Sequence, residues 1–223
     1  MALYVDSADV AEIAQLCAAY PVAGVTTNPS ILLAAIERGQ RLRDLELVRE
    51  LLTVCDGLVF MQPTAETAEA LIAAGMRYVD QDSARVVLKL PMTAMGTRAA
   101  LTLKRQGVRF AFTAVASLAQ AYTGSLVGAD WVIPYFCRMR RAGIDAADRV
   151  AGMARLLTNQ TKVCHILAAS LKSPADVVEA TLAGAHDATL PPEVLRAMAE
   201  DPLTQAAVTQ FAADWRRAGE LLG

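Results

Sequence analysis

Short apolar runs alternate along this chain with longer, alanine-rich segments whose apolar residues recur at helical spacing. The runs fall at 3–5, 24–26, 58–61, 86–88, 108–112, 131–133, 163–168 and 187–190. Brief, nearly continuous hydrophobic strands separated by amphipathic helices are the pattern of a parallel sheet, because each crossover helix covers one face of the strands it joins. Eight such units close a barrel, and 223 residues suit a small one. The expectation is therefore an α/β fold, a single-domain (β/α)8 TIM barrel spanning 1–223, with 201–223 as an extra C-terminal helix.

The punctuation between runs agrees. Ser173-Pro174-Ala175-Asp176 offers an N-cap serine, a proline at the first helical position and an acid in the first turn. Asp201-Pro202 repeats the device, and Asp145-Ala146-Ala147-Asp148 opens another helix. A helix over 65–74 follows Pro63-Thr64. Gly75, Gly107 and Gly184 each stand before a strand, where a left-handed helix end is wanted. The segment 31–54 is too long for one helix, and Gly39 divides it. In the last helix Leu203, Ala206, Ala207, Phe211 and Trp215 recur at helical spacing. That face closes the helix's own barrel or docks on a neighbouring subunit; both remain open.

Composition narrows the class. With 54% hydrophobic and 20% charged residues the chain can bury a substantial core. A net charge of -2 gives no electrostatic footprint for nucleic acid. No apolar run is long enough to span a membrane. Residues 1–6 read as a first strand, not as a secretion signal. Cys17, Cys55, Cys137 and Cys164 are scattered, which fits free thiols in a reducing, cytoplasmic setting. Asn159-Gln160-Thr161 is a chance match to a glycosylation acceptor.

Chemistry collects where the runs end. Val86-Val87-Leu88 leads straight into Lys89, and Pro91 stops the strand. Lysine is rarely buried, and burial favours its neutral form, the form that attacks a carbonyl. Taken alone, Lys89 is better explained by an aliphatic stem lying on apolar neighbours with its head in water. The other strand ends change that balance. They carry Asp6, the stretch Thr26-Thr27-Asn28-Pro29-Ser30, Gln62, Thr113, Tyr135 with Arg138 beyond it, and Ser170 with Lys172 beyond it. In a βα barrel these ends share one mouth. There is no Gly-x-Gly-x-x-Gly or phosphate-binding loop, so no nucleotide cofactor is implied. His165 and His186 lack ligand spacing, so no metal is implied either.

Two of these stretches are specific. Ala23-Gly24-Val25-Thr26-Thr27-Asn28-Pro29-Ser30 resembles the motif near the start of transaldolases, and Val87-Leu88-Lys89-Leu90-Pro91-Met92-Thr93 resembles the same family's Schiff-base lysine motif. The similarity runs over nearly the whole chain and is greatest to the short members, which include fructose-6-phosphate aldolase. The resemblance implies a barrel of the class I aldolase type, without metal or cofactor. It implies Lys89 as the Schiff-base lysine and Asp6 as the acid/base for the C4 hydroxyl. It gives Thr26 and Asn28 to substrate hydroxyls, Gln62, Thr113 and Tyr135 to a catalytic water, and Arg138 and Ser170 to a phosphate. The expected partner is a small sugar or sugar phosphate, with no nucleic acid and no membrane. A homo-oligomer, pentamer or decamer, is expected by the same resemblance.

Gln62 and Tyr135 look like the aldolase subgroup, since larger transaldolases tend to carry Glu and Phe there. The implied reaction is cleavage or formation of the C3–C4 bond of fructose 6-phosphate or a similar ketose phosphate. The alternatives are a transaldolase passing the dihydroxyacetone unit to a second sugar phosphate, and a non-catalytic sugar-binding barrel. Three departures lie toward the substrate's far end. Phe136-Cys137-Arg138-Met139-Arg140-Arg141 replaces a usual Asn before the arginine and an Ile-Asp pair after it. Ala142-Gly143-Ile144-Asp145 replaces a Gly/Ser-rich loop, and Ala111 replaces a leucine. Arg138, Arg140 and Arg141 leave two readings: an anion other than a simple sugar phosphate, or a solvated loop for Arg140 and Arg141, the better reading for at least one of them.

Overall fold

The computed structural model describes residues 1–41, 43–158 and 163–223. The triplet Asn159-Gln160-Thr161 lies outside the described residues. Eight parallel strands, each paired with the next and the last with the first, close a barrel: β1 (Leu3–Asp6), β2 (Val22–Thr26), β3 (Leu58–Met61), β4 (Val86–Pro91), β5 (Phe110–Val115), β6 (Trp131–Pro134), β7 (His165–Ala168) and β8 (Asp187–Leu190). The outer layer holds α1 (Val10–Ala19), α2 (Pro29–Glu37), α3 (Asp44–Val54), α4 (Ala68–Val79), α5 (Ala94–Arg105) and α6 (Leu118–Val127). It continues with α7 (Phe136–Arg141), α8 (Ala146–Thr158), α9 (Pro174–Leu182) and α10 (Pro192–Ala197), and α11 (Pro202–Leu222) ends the chain.

The period of two within each strand builds two cores. One set of side chains points outward under the helices, with Val5, Val25, Leu88, Leu90, Phe112 and Ile166 all buried. The alternate set fills the barrel with Tyr4, Phe60, Val87, Ala111, Ile133 and Leu167. Phe60 meets Tyr4 and Trp131 edge to face, at centroid distances of 5.3 and 5.1 Å. Asp187 seals the bottom, accepting from the Ala2 N–H at 2.8 Å and the Trp131 indole N–H at 3.1 Å.

Several boundaries differ from the sequence expectation. β5 begins at Phe110, because the Val108 N–H returns to Leu103 O at 3.1 Å and belongs to the exit of α5. β7 begins at His165, and Val163 is exposed. α4 starts at Ala68, capped by Thr67, not after Pro63-Thr64. Gly75 is no helix end: it lies inside α4, where a Cβ would come within 2.7 Å of Leu88 Cδ1, so its role is close helix-to-strand packing. Gly107 and Gly184 do have left-handed backbones, and Gly39 does part α2 from α3. Gly128, which the sequence pattern did not single out, ends α6 the same way.

Candidate active site

The barrel period decides what reaches the mouth. Val87 faces inward, so Lys89, two residues on, faces inward as well. Tyr4 leads in the same way to Asp6, Phe60 to Gln62, Ala111 to Thr113 and Ile133 to Tyr135. The upper layer of the barrel interior is therefore polar where the lower layer is apolar. It opens into a cavity of about 420 Å³ walled by Asp6, Asn28, Gln62, Lys89, Thr113 and Tyr135, with Arg138, Ser170 and Lys172 on its far side.

Lys89 is 1% exposed, and its Nζ donates to Thr27 O at 2.8 Å. Burial pushes its pKa below the ordinary lysine value; the Asp6 carboxylate opposes that shift. Asp6 moves the other way. Burial raises its pKa, against Lys89, a hydrogen bond from Thr26 and the charge of Lys172. Both shifts favour the uncharged forms, which suits an amine nucleophile beside an acid/base.

Thr26 is not on the cavity wall. It is fully buried behind Asp6, and its hydroxyl is 2.6 Å from Asp6 Oδ1 and 2.6 Å from the hydroxyl of Thr189. β1 and β2 pair Asp6 with Thr26 directly, which turns that hydroxyl onto the carboxylate instead of into the cavity. Thr189 escaped the sequence reading, although its position two residues after inward-facing Asp187 marks it. Asn28 caps α2, its Oδ1 accepting from the Ser30 and Ile31 N–H groups at 3.0 Å, and its amide nitrogen is left for the cavity. Gln62 Oε1 is buried and accepts no hydrogen bond among the described residues. Such an acceptor costs about 1–3 kcal/mol unless a water or ligand satisfies it. The hydroxyls of Thr113 and Tyr135 lie 3.0 Å apart.

Two non-glycine residues on the wall, Ala114 (φ 59°) and Ser170 (φ 61°), have left-handed backbones. Strain of this kind costs of order 1–3 kcal/mol and persists only where its surroundings hold it. The Arg138 guanidinium lies over the Tyr135 ring at 4.6 Å from its centroid. Arg140 is turned away from the cavity, paired with Asp176 and Glu179. Arg140 therefore stands neither at an anion in the cavity nor in a solvated loop, but in α7 with its charge taken by carboxylates. Capping residues Asn28, Thr93, Ser117 and Ser173 stand at the strand ends, so helix N-termini ring the mouth and favour negative charge there.

The family model described as transaldolase/fructose-6-phosphate aldolase matches residues 3–221. A probable transaldolase of Herpetosiphon aurantiacus is 33% identical over 217 residues, which cover 97% of this chain and 96% of that one. A probable transaldolase of Symbiobacterium thermophilum is 33% identical over 219 residues, covering 98% of each. Among solved structures, thiamine phosphate pyrophosphorylase from Pyrococcus furiosus superposes with a TM-score of 0.57 at 13% identity, over 87% of both chains. Inosine 5′-monophosphate dehydrogenase from Legionella pneumophila does so with a TM-score of 0.62 at 14% identity, over 87% of this chain and 59% of that one. At such identities these two structures share the barrel fold and nothing further is carried over.

Proposed function

The chain belongs to the transaldolase/fructose-6-phosphate aldolase family and is an enzyme of the Schiff-base aldolase and transaldolase class; from that premise we propose that it cleaves and forms the C3–C4 bond of fructose 6-phosphate or a close analogue. The supporting observation is a lysine 1% exposed, pushed toward its neutral form at the base of a polar cavity beside Asp6.

In this reading the Lys89 amine adds to the ketone, and loss of water leaves an iminium. Asp6 takes the C4 hydroxyl proton, the C3–C4 bond breaks, and its electron pair moves into the iminium as an enamine while the aldehyde departs. A water held by Gln62, Thr113 and Tyr135 protonates the enamine at C3. Hydrolysis then frees dihydroxyacetone and the lysine. Thr26 acts through Asp6, with Thr189 orienting its hydroxyl. Asn28 donates to a substrate hydroxyl, and Arg138 and Ser170 hold the phosphate, with Lys172 as a further cation.

Transfer of the three-carbon unit to an aldose phosphate is the second reading, favoured by the names of the two relatives. Ketose plus borohydride is expected to add the three-carbon unit to Lys89, read by peptide mass. Free dihydroxyacetone released without acceptor favours the aldolase, whereas a new ketose phosphate formed only with an acceptor aldose phosphate, and no free dihydroxyacetone, favours the transferase. A barrel that binds ketose without turnover would give no adduct, and an adduct on another lysine would refute the reading.

The exposed stripe on α11 fits a homo-oligomer, a pentamer or decamer in which this helix lies on a neighbouring subunit. Among the described residues no helix is long and apolar enough to cross a membrane. Among the described residues no two cysteines are joined in a disulfide, which supports a reducing, cytoplasmic setting.

A further inference from the structure

Two of the three arginines of α7, Arg138 and Arg140, are used differently. Arg138 lines the cavity, whereas Arg140 is gripped from behind. Its Nη1 donates to Asp176 Oδ1 at 2.7 Å, its Nη2 donates to the Glu179 carboxylate, and its guanidinium covers the Phe136 ring at 4.9 Å. Asp176 is 7% exposed, and its second oxygen is also engaged. Oδ2 accepts from the Lys172 N–H at 2.9 Å and from the Cys137 thiol at 3.3 Å. Burial alone would raise this carboxyl's pKa, but the donors from Lys172, Cys137, Ser173 and Arg140 hold it below its ordinary value.

An acid in the first turn of a helix commonly reaches back to a single amide in front of it. Asp176 does that at Lys172 and also takes two side-chain donors from α7. It therefore joins three segments: α7, the loop after β7, and α9. The joint sits behind the anion-binding half of the site. The Cys137 N–H donates to Ser170 O at 3.3 Å, and the Phe136 N–H donates to Ala169 O at 2.8 Å. Ser170 has the left-handed backbone that its surroundings must hold in place. Cys137 thus reaches Ser170 through its backbone and Asp176 through its thiol, one residue before Arg138.

We propose that Asp176, acting through Cys137, Arg140 and the Lys172 amide, is a positioning residue that fixes the separation of Arg138 from Ser170 and so sets selectivity for a phosphate-bearing substrate tail. The proposal rests on the reading that Arg138 and Ser170 hold the phosphate. It also accounts for the unusual Cys137 and Arg140, which are the two side chains that tie α7 to this carboxylate.

The test uses the full chain in aldol addition of dihydroxyacetone to D-glyceraldehyde 3-phosphate and, in parallel, to D-glyceraldehyde. Adduct formation on Lys89 with dihydroxyacetone and borohydride is followed alongside. Asp176→Ala is expected to raise KM for the phosphorylated aldehyde by roughly ten- to a hundredfold, with kcat within about twofold. KM for glyceraldehyde and the rate of adduct formation stay at the wild-type level. Asp176→Asn is isosteric and still accepts from the Lys172 amide; it is expected to fall between, and it is the second variant should the truncation fail to fold. Cys137→Ser, which keeps a donor, is expected to rescue the effect seen in Cys137→Ala.

An unchanged KM for the phosphorylated aldehyde in folded Asp176→Ala and Asp176→Asn overturns the proposal. Equal losses on both aldehydes with slower adduct formation also overturn it, since Asp176 is then a structural prop. Wild-type protein that does not prefer the phosphorylated aldehyde overturns the phosphate reading itself, and the proposal with it. The wild-type arm reports that result alone, so the two failures are told apart.

Discussion

At the scale of the residue, the burial of Lys89 carries an energetic cost. Below the ordinary lysine pKa of about 10.4 the unfolded chain holds a proton here that the folded chain binds less tightly, because the site is desolvated. The unfolded state therefore binds more protons, and this group's contribution to stability rises with pH up to about 10.4. In the other direction the penalty grows as pH falls from that value through the depressed folded pKa. Lys89→Met keeps the length of the side chain and removes the penalty. It is expected to raise Tm at pH 7 by a few degrees, at about 2–4 °C per kcal/mol, with the gain shrinking toward pH 10. Thermal denaturation at the two pH values checks this, and a lower Tm at pH 7 refutes it. Lys89 was legible because an ionisable residue on an apolar strand is conspicuous. Thr189 was not, because a threonine suits a strand for its shape alone.

At the scale of the element, the motif Ala23-Gly24-Val25-Thr26 shows why a glycine precedes the site. β2 and β3 pair Gly24 with Leu58, and a Cβ on Gly24 would meet the Leu58 backbone, coming within 2.1 Å of its carbonyl oxygen. Backbone in a closed barrel has nowhere to retreat. Gly24→Ala is expected to cost at least ~3 kcal/mol and to lower Tm by roughly 6–12 °C. A thermal midpoint within a degree or two of wild type would show that the two strands have slack. Other element-scale features misled the sequence reading for a related reason. Gly75 has a glycine's composition and a helix-end position in the sequence, yet it is selected by contact with Leu88 across the layer. Arg140 was ambiguous until Asp176 and Glu179, on another helix, were seen to pair with it.

At the scale of the whole molecule, α11 is an unfinished surface. It runs for 21 residues with none buried, and Leu203, Phe211 and Trp215 are 81%, 67% and 81% exposed. An amphipathic helix that buries nothing gains little from its apolar stripe, so the stripe is expected to be covered by a second copy. Light scattering of the full chain is expected to give several times the 23.7 kDa of one chain. Phe211→Asp with Trp215→Asp is expected to dissociate the assembly while the barrel still unfolds cooperatively. A wild-type monomer at micromolar concentration would sink the proposal.

The sequence by itself determined the eight-unit barrel and its polar rim, since both follow from periodicities of two and 3.6 that are local properties of the chain. It also determined which polar residues follow each apolar run, although β4 and β5 continue two residues past Lys89 and Thr113. What only the tertiary structure decided was where those side chains point and which of them are already engaged. Thr26 turned to Asp6, Gln62 kept an open acceptor, and Arg140 was taken by α9. The two pairings join residues 20 and 36 positions apart in the sequence, and closing the barrel is what brings them together.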